Sequence, residues 1–213
     1  MKIFFVRHGE SELNIENREQ GPEGSLSALG KRQAVSLARR FKKIPLDLIV
    51  SSPHQRTRET AEAIRLEIGG DITYSDFLIE RKPATELIGM RTDDPAYVKI
   101  RDLMNEKRLV DPSWKYADED NFIDLKERAL GALGFLSSLE HDAVVAVTHA
   151  GILRVIMAAI IFGPDLTYVE YLKIFRSLWS SNTGITFVEF VEASTSSKWR
   201  VITWNDLAHL EDV

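Results

Sequence analysis

The chain has 213 residues, of which 44% are hydrophobic and 28% charged, which is typical of one well-buried α/β domain rather than a disordered chain. It contains no cysteine, which excludes disulfide bonds, thiol nucleophiles and thiolate metal ligands. The net charge is −5 and lysine and arginine form no block, so we expect neither nucleic acid nor an anionic membrane as a partner.

The apolar segments are too short for a signal peptide or a membrane span. The run at 3–6 ends at Arg7, and the stretch 151–163 is interrupted by Arg154. We therefore expect a soluble, cytoplasmic protein.

Predicted strands and helices alternate along most of the chain. Four apolar runs predict buried strands, at 3–6, 46–51, 72–75 and 143–148. Helices are predicted to begin near Ser27, after Ser52 as N-cap, near Glu119 and at Gly151. Two more strands, 185–191 and 199–204, are predicted to pair across a Ser/Thr-rich connection. Residues 76–119 are less regular, and we interpret them as a cap-like excursion over the sheet within a single domain, 1–213.

Repeated β–α steps predict an α/β fold, a three-layer sandwich with a mostly parallel central sheet flanked by helices. In such sheets ligands bind beyond the carboxyl ends of the strands. Reactive side chains follow four successive predicted strands, namely Arg7 with His8, Arg56, Glu80 and His149. We expect them to converge on one catalytic site.

These groups suit phosphoryl transfer. Neutral imidazole is a competent nucleophile near pH 7, and attack by His8 on phosphorus would give a phosphohistidine. Arg7 and Arg56 would neutralise the phosphoryl oxygens, since guanidinium is always protonated and grips two oxygens. A protonated His149 could hold a further oxygen. Glu80 would protonate the leaving alkoxide and then act as base for water, which predicts a bell-shaped pH profile.

Each residue alone has a plainer interpretation. The motif at His8 could arise by chance, His149 could be a satisfied core histidine, and Arg56 could lie on a solvated helix face. Glu80 could form a surface ion pair with Arg81. No metal-ligand spacing and no glycine-rich nucleotide loop is present. Three other histidines lack supporting context and are interpreted as structural or surface residues, namely His54, His141 and His209.

Several segments together resemble the histidine phosphatase superfamily, whose founding members are the cofactor-dependent phosphoglycerate mutases. The first sequence motif of that family is resembled by Arg7-His8-Gly9-Glu10-Ser11 with Asn14 in this chain. The other similar segments are Gln20-Gly21, Leu26-Ser27, Ser51-Ser52-Pro53 with Arg56, Leu78 with Glu80-Arg81, Val147-Thr148-His149-Ala150-Gly151, and Asn182-Thr183-Gly184 with Asn205. The resemblance covers nearly the whole chain and implies a phosphoglycerate mutase-like fold.

The resemblance also implies roles for individual residues. His8 would be phosphorylated, Arg7, Arg56 and His149 would complete the phosphate pocket, and no metal or organic cofactor would be needed. The pocket would be lined further by Asn14, Gln20, Gly21 and Ala150. Glu80 would be the proton donor, with Glu86 as an alternative. Many members carry Gly-Glu-Ser where this chain has 117–120, which leaves the role of Glu119 open.

The choice between phosphatase and mutase rests on the segment after Glu80-Arg81. It reads Lys82-Pro83-Ala84-Thr85-Glu86-Leu87 and lacks the basic cluster that a doubly phosphorylated sugar acid requires. We therefore favour a metal-independent phosphomonoesterase of the histidine acid phosphatase type over a mutase or a non-catalytic sensor of phosphorylated ligands. The substrate would be a small phosphorylated molecule or a phosphoprotein. Three aromatic residues of the excursion could contact its organic group or form local core, namely Tyr97, Trp114 and Tyr116.

Overall fold

The structure is a computed structural model that describes residues 1–192, 199–211 and 213. The strands are β1 (Lys2–Arg7), β2 (Leu48–Ser51), β3 (Ile72–Tyr74), β4 (Ala143–Thr148), β5 (Ile185–Phe190) and β6 (Trp199–Asp206). The helices are α1 (Glu12–Ile15), α2 (Ala28–Phe41), α3 (Gln55–Ile68), α4 (Pro95–Val110), α5 (Phe122–Ser137), α6 (Ala150–Phe162) and α7 (Tyr168–Ser177). Short 3₁₀ turns lie at 76–78, 85–87 and 208–210.

The six strands form one sheet in the order β3-β2-β4-β1-β5-β6. The first four are parallel neighbours, whereas β5 runs antiparallel to β1 and β6 antiparallel to β5. The predicted α/β class with a mostly parallel central sheet is therefore confirmed. The predicted pairing of the last two strands is also confirmed, and their predicted connection at 193–198 lies outside the described residues.

Alternate residues of the central strands feed a hydrophobic core on each face of the sheet. On one face Phe4 and Val147 pack with Leu37 of α2 and Ile64 of α3. On the other face the core combines side chains of β1 and β4 with α5 and α6, among them Ile3, Phe5, Val144, Leu133 and Ile156. Because both faces are covered, the strands read as the continuous apolar runs seen in the sequence.

The predicted start of α3 was wrong by two residues. The helix begins at Gln55, and His54 occupies the N-cap position without a side-chain cap. Ser52 instead accepts the His54 N–H through its hydroxyl oxygen, which lies 3.3 Å from that nitrogen. The start of α2 is as predicted, since Ser27 accepts the Gly30 N–H at 2.9 Å.

The excursion at 76–119 is less irregular than predicted, because α4 forms 16 residues of it. Asp94 caps the helix by accepting the Ala96 N–H, and Pro95 takes the first helical position. Helices α1 and α7 were also not predicted. Among the described residues, no helix combines the length and the apolar character needed to cross a bilayer.

Candidate active site

The predicted strand-end residues meet at the carboxyl edge of the parallel strands. Arg7 ends β1 and His8 follows it, while His149 directly follows β4. The His8 and His149 ring centroids are 5.2 Å apart, and Arg56 Nε lies 3.2 Å from His8 Nε2. Glu80 reaches the start of α6, where its carboxylate accepts the Gly151 N–H at 2.9 Å. The structure therefore brings all five predicted catalytic residues together.

The hydrogen bonds of His8 fix its tautomer. Its Nδ1 lies 2.7 Å from the Gly9 carbonyl oxygen, which can only accept, so Nδ1 carries the proton. Its Nε2 faces the Arg56 Nε–H, which can only donate, so Nε2 carries a lone pair. Burial and the positive charges of Arg56 and Arg7 hold the His8 pKa well below 6.5. His8 is therefore a neutral imidazole with Nε2 available for attack.

Arg56 is buried because its contacts hold it against the His8 loop. Its side chain is only 2% exposed, and its Nη1 donates to the Gly21 carbonyl oxygen at 2.8 Å. The next turn of α3 also holds the loop, since Thr60 accepts the Gly9 N–H at 3.1 Å and donates to the Arg56 carbonyl at 2.8 Å. Burial lowers the Arg56 pKa to about 10, so the group stays positive at neutral pH.

Arg7 supplies the second buried cation. Its Nη1 donates to the Ser180 carbonyl oxygen at 2.6 Å, whereas its Nε is buried without a partner. Burial lowers the Arg7 pKa to about 10, although the charge of Glu80 opposes that shift. A guanidinium with a free, inward N–H is suited to bind an anion.

His149 is fully buried and leaves one ring nitrogen unpartnered. Its Nε2 lies 2.9 Å from the Ser52 hydroxyl, and its Nδ1 has no partner. Burial and the charge of Arg56 hold the His149 pKa well below 6.5, so the ring is neutral before a ligand binds. A protonated His149, which the sequence analysis considered as a ligand for a phosphate oxygen, therefore requires an anion in the pocket.

Glu80 caps α6 from a distant segment. Its carboxylate accepts the N–H groups of Gly151, Ile152 and Arg81, each at 2.9 Å. Burial acts to raise the Glu80 pKa, but the Gly151 N–H and the Arg81 charge outweigh burial and lower it. The prediction that Glu80 starts protonated was therefore wrong for the unliganded protein.

Two close approaches at the site require glycine. A Cβ on Gly151 would overlap Oε1 of Glu80 and stand 3.0 Å from its Cδ. A Cβ on Gly9 would stand 2.6 Å from the Gly30 carbonyl oxygen, and one on Gly30 would overlap the Glu10 carbonyl. These contacts pack the His8 loop directly against the first turn of α2.

The predicted rim residues surround the His8 loop. Gly21 accepts from Arg56 through its carbonyl oxygen. Gln20 Oε1 accepts from the Ser11 hydroxyl at 2.8 Å, and Asn14 Oδ1 accepts the Ser11 N–H at 3.1 Å. Ala150 is the first residue of α6, next to His149.

The segment 182–184, singled out in the sequence, holds the back of the His8 loop. Asn182 Nδ2 donates to the His8 carbonyl oxygen at 3.0 Å, and the Thr183 N–H donates to the Arg7 carbonyl at 2.9 Å. Thr183 adopts a φ of 56°, a left-handed conformation that is uncommon for a β-branched residue. The segment therefore fixes the loop backbone and leaves the His8 ring facing the pocket.

The side chains of Glu86 and Glu119 form their hydrogen bonds with other residues of the excursion at 76–119. Glu86 is exposed and accepts from the Tyr116 hydroxyl at 2.6 Å. Glu119 is 2% exposed, pairs with Arg108 at 2.7 Å and accepts the Tyr116 and Ala117 N–H groups. Its contacts are structural, since they close the loop after α4.

The three aromatics of the excursion belong to a small hydrophobic cluster. Tyr97 packs with Ala84, Leu87 and Met104, and Trp114 and Tyr116 lie against that cluster. The Tyr97 hydroxyl also donates to Glu19, which pairs with Arg81 at 2.6 Å. A cavity of about 310 Å³ lies beside this cluster, and neither His8 nor His149 lines it.

A family comparison identifies the class of protein. The model of the histidine phosphatase superfamily, branch 1, matches residues 3–207. The chain belongs to the histidine phosphatase superfamily. The resemblance found in the sequence is thereby confirmed.

Curated relatives of this superfamily member carry a mutase name. A protein of Escherichia fergusonii named "Probable phosphoglycerate mutase GpmB" is 30% identical over 216 residues, covering 99% of this chain and 95% of the relative. A protein of Proteus mirabilis with the same name is 28% identical over 222 residues, covering 100% of this chain and 96% of the relative.

Solved structures of the superfamily share the fold. The Bacillus stearothermophilus protein YhfR is 25% identical with a TM-score of 0.79, and the match covers 99% of both chains. A phosphoserine phosphatase mutant from Entamoeba histolytica is 20% identical with a TM-score of 0.76, and the match covers 98% of both chains.

This histidine phosphatase superfamily member has a third imidazole beside the site, which the sequence interpretation missed. The His54 and His149 ring centroids are 4.9 Å apart. The only signal in the sequence was the position of His54 two residues before Arg56, because the contact itself depends on the distant β4–α6 junction. Among the described residues, no group of three His, Asp or Glu side chains is arranged to hold a metal ion.

Proposed function

We propose that the protein is a phosphomonoesterase that hydrolyses a small phosphorylated substrate through a phosphohistidine on His8. The observation that carries this proposal is the fixed tautomer of His8, whose unprotonated Nε2 lies in a buried pocket beside Arg56. A buried neutral nucleophile among cations matches the demand of attack on an anionic phosphate.

Substrate binding would satisfy the polar atoms that the pocket leaves unpaired. Arg7 Nε and His149 Nδ1 are both buried without partners. Phosphate oxygens can accept from the Arg7 Nε–H, and from His149 Nδ1 in the tautomer in which the Ser52 hydroxyl donates to Nε2, so binding would give both atoms charge-assisted hydrogen bonds. The Arg56 Nε–H would move from His8 Nε2 to an oxygen, which frees the lone pair.

In the first chemical step Nε2 attacks phosphorus while the ester P–O bond breaks. The ring then gains positive charge, which the Nδ1–H bond to the Gly9 carbonyl stabilises. The leaving alkoxide takes a proton from Glu80. Because Glu80 is ionised in the unliganded protein, that proton must arrive with the substrate, whose monoanion carries one on phosphate. The added negative charge favours its transfer to the carboxylate.

In the second step water attacks the phosphohistidine. Glu80, again ionised, takes the proton from water as the new P–O bond forms and the P–N bond breaks. His8 recovers its Nε2 lone pair, and inorganic phosphate leaves. The N–H groups at the start of α6 support the charged form of Glu80 that this step needs.

A phosphoglycerate mutase-type phosphotransferase is the second candidate, favoured by the names of the curated relatives. Retaining a second phosphate requires further free cations. The neighbouring cations are already engaged, since Arg81 pairs with Glu19 and Lys82 with Asp118. Arg154 donates to the carbonyl oxygens of Ala150 and Phe175. This pairing supports water over a second substrate as the acceptor.

The test measures a trapped phosphoenzyme. The protein is incubated with ³²P-labelled phosphomonoesters and quenched in alkali, and the acid-labile label is mapped to a peptide. We expect label on His8 and none in His8→Ala, with an exposed-site control, His141→Ala, labelled normally. Tight phosphate binding without a phosphoenzyme would indicate a sensor and refute the proposal. Conversion of 3-phosphoglycerate to its isomer with a bisphosphorylated primer, without release of phosphate, would identify the mutase.

A further inference from the structure

Unpartnered buried nitrogen and oxygen atoms of side chains are few in the described part of the chain. They are Arg7 Nε, His54 Nδ1, His149 Nδ1 and His209 Nδ1. Buried polar atoms are nearly always hydrogen-bonded, so each exception calls for an explanation. The Arg7 and His149 atoms face the proposed phosphate pocket, which explains both.

His54 shares this signature and lies against the same pocket. It stands two residues before Arg56, and its half-buried ring contacts the ring of His149. His209 differs, because its other nitrogen, Nε2, lies 3.0 Å from the Thr183 hydroxyl and its ring lies against α2. Of these two histidines, His54 contacts His149 in the proposed phosphate pocket, whereas His209 contacts the segment behind the His8 loop.

The N-cap residues of helices α1–α7 provide an independent observation about His54. Five helices have a side-chain cap, supplied by Ser11, Ser27, Asp94, Asn121 and Thr167. The two helices without one are α3 and α6, and both have histidine at the N-cap, His54 and His149. Imidazole is a poor N-cap, so both positions forgo a stabilising hydrogen bond that Ser, Asp or Asn would make. The two histidines at these N-cap positions have rings in contact with each other.

The charges around His54 suit an uncharged hydrogen-bond donor. Burial and the charge of Arg56 lower the His54 pKa to about 4, against the opposing effects of Glu80 and Asp76. Arg128 acts in the same direction as Arg56, and the neighbouring His149 is neutral. A neutral ring in the tautomer that carries its proton on Nδ1 offers one N–H there without repelling Arg56.

We propose that His54 is a further catalytic residue, which donates its Nδ1–H to an oxygen of the bound phosphomonoester on the side where Glu80 lies. This role rests on the proposed function. In this proposal the imidazoles of His8, His149 and His54 form one continuous row. His8 attacks phosphorus, and His149 and His54 bind oxygens of the phosphate.

Two variants separate this role from packing. His54→Leu keeps an apolar side chain against His149 but removes the donor, whereas His54→Asn places an amide N–H near the position of Nδ1. We expect His54→Leu to lower kcat/KM for phosphomonoesters by about 10- to 100-fold, the usual effect of losing one hydrogen bond to a charged group. Inhibition by orthovanadate should weaken in parallel, and His54→Asn should recover most of both losses.

Several outcomes would overturn the proposal. A His54→Leu protein with wild-type kcat/KM and vanadate inhibition shows that the ring touches no substrate. Equal losses in both variants, or a loss only in His54→Asn, show a packing role against His149. If either variant fails a thermal-unfolding check, ¹⁵N NMR of the wild-type histidines decides, since orthovanadate must shift the His54 Nδ1 resonance. Phosphoenzyme trapping on His8 in the same variants tests the proposed function separately.

Discussion

The contact between Gly151 and Glu80 allows a direct test of the proposed role of Glu80 as the proton donor to the leaving group. A Cβ added by Gly151→Ala would overlap Oε1 and stand 3.0 Å from Cδ, so the carboxylate must retreat by roughly 1 Å. A displacement of that size in a catalytic group lowers rates by about 100-fold. We therefore expect kcat to fall by about that factor while His8 and the arginines stay in place.

The assay compares leaving groups. An alkyl phosphate needs its departing oxygen protonated far more than p-nitrophenyl phosphate does, so Gly151→Ala should impair alkyl phosphate hydrolysis more. Gly134→Ala on α5 is the matched control, because its Cβ meets nothing within 4 Å. It should keep wild-type kcat and gain about 0.5–1 kcal/mol of stability. A folded Gly151→Ala protein with unchanged activity on alkyl phosphates would refute the role of Glu80.

Three further measurements test the electrostatics and the excursion. The profile of kcat/KM against pH should peak below pH 6.5, because the lowered His8 pKa shifts the acid limb down and the substrate phosphate, which brings the proton, loses it near about pH 6, and a peak above pH 7.5 would contradict this. In urea unfolding, stability should fall as pH drops below 6.5, because unfolded His149 binds a proton that the folded state excludes. His149→Gln should remove about 1.4 kcal/mol per pH unit of that slope between 6.5 and the lower folded pKa, and an unchanged slope would contradict the assignment. Glu119→Gln should cost about 3 kcal/mol by breaking the buried pair with Arg108 while folded protein keeps its kcat, so a lost kcat at unchanged stability would show a catalytic role instead.

The sheet and the convergence of the site could be predicted because both depend on local patterns. Buried parallel strands show as continuous apolar runs, such as Ile3–Val6. A residue that directly follows such a strand must lie at its carboxyl end, which placed His8 and His149 near each other. No knowledge of long-range contacts was needed for that step.

The features that the sequence analysis did not predict all depend on contacts between distant segments of the chain. The largest effect that lowers the Glu80 pKa is the hydrogen bond from the Gly151 N–H, 71 residues away. Helix α4 buries only Tyr97 and Met104, too few positions to give a clear helical period, and both pack on residues of other segments. His54 gains significance only through its contact with His149, 95 positions along the chain.

The fit between Gly9, Gly30 and the Glu10 carbonyl has a consequence for protein engineering. No side chain can be introduced at either glycine without separating the His8 loop from α2, so saturation libraries there should yield mostly inactive clones. The exposed face of α4 carries no such constraint. Attempts to retarget the protein should therefore randomise the exposed positions within 95–110, leave Tyr97, Met104 and Arg108 unchanged, and keep both glycines as they are.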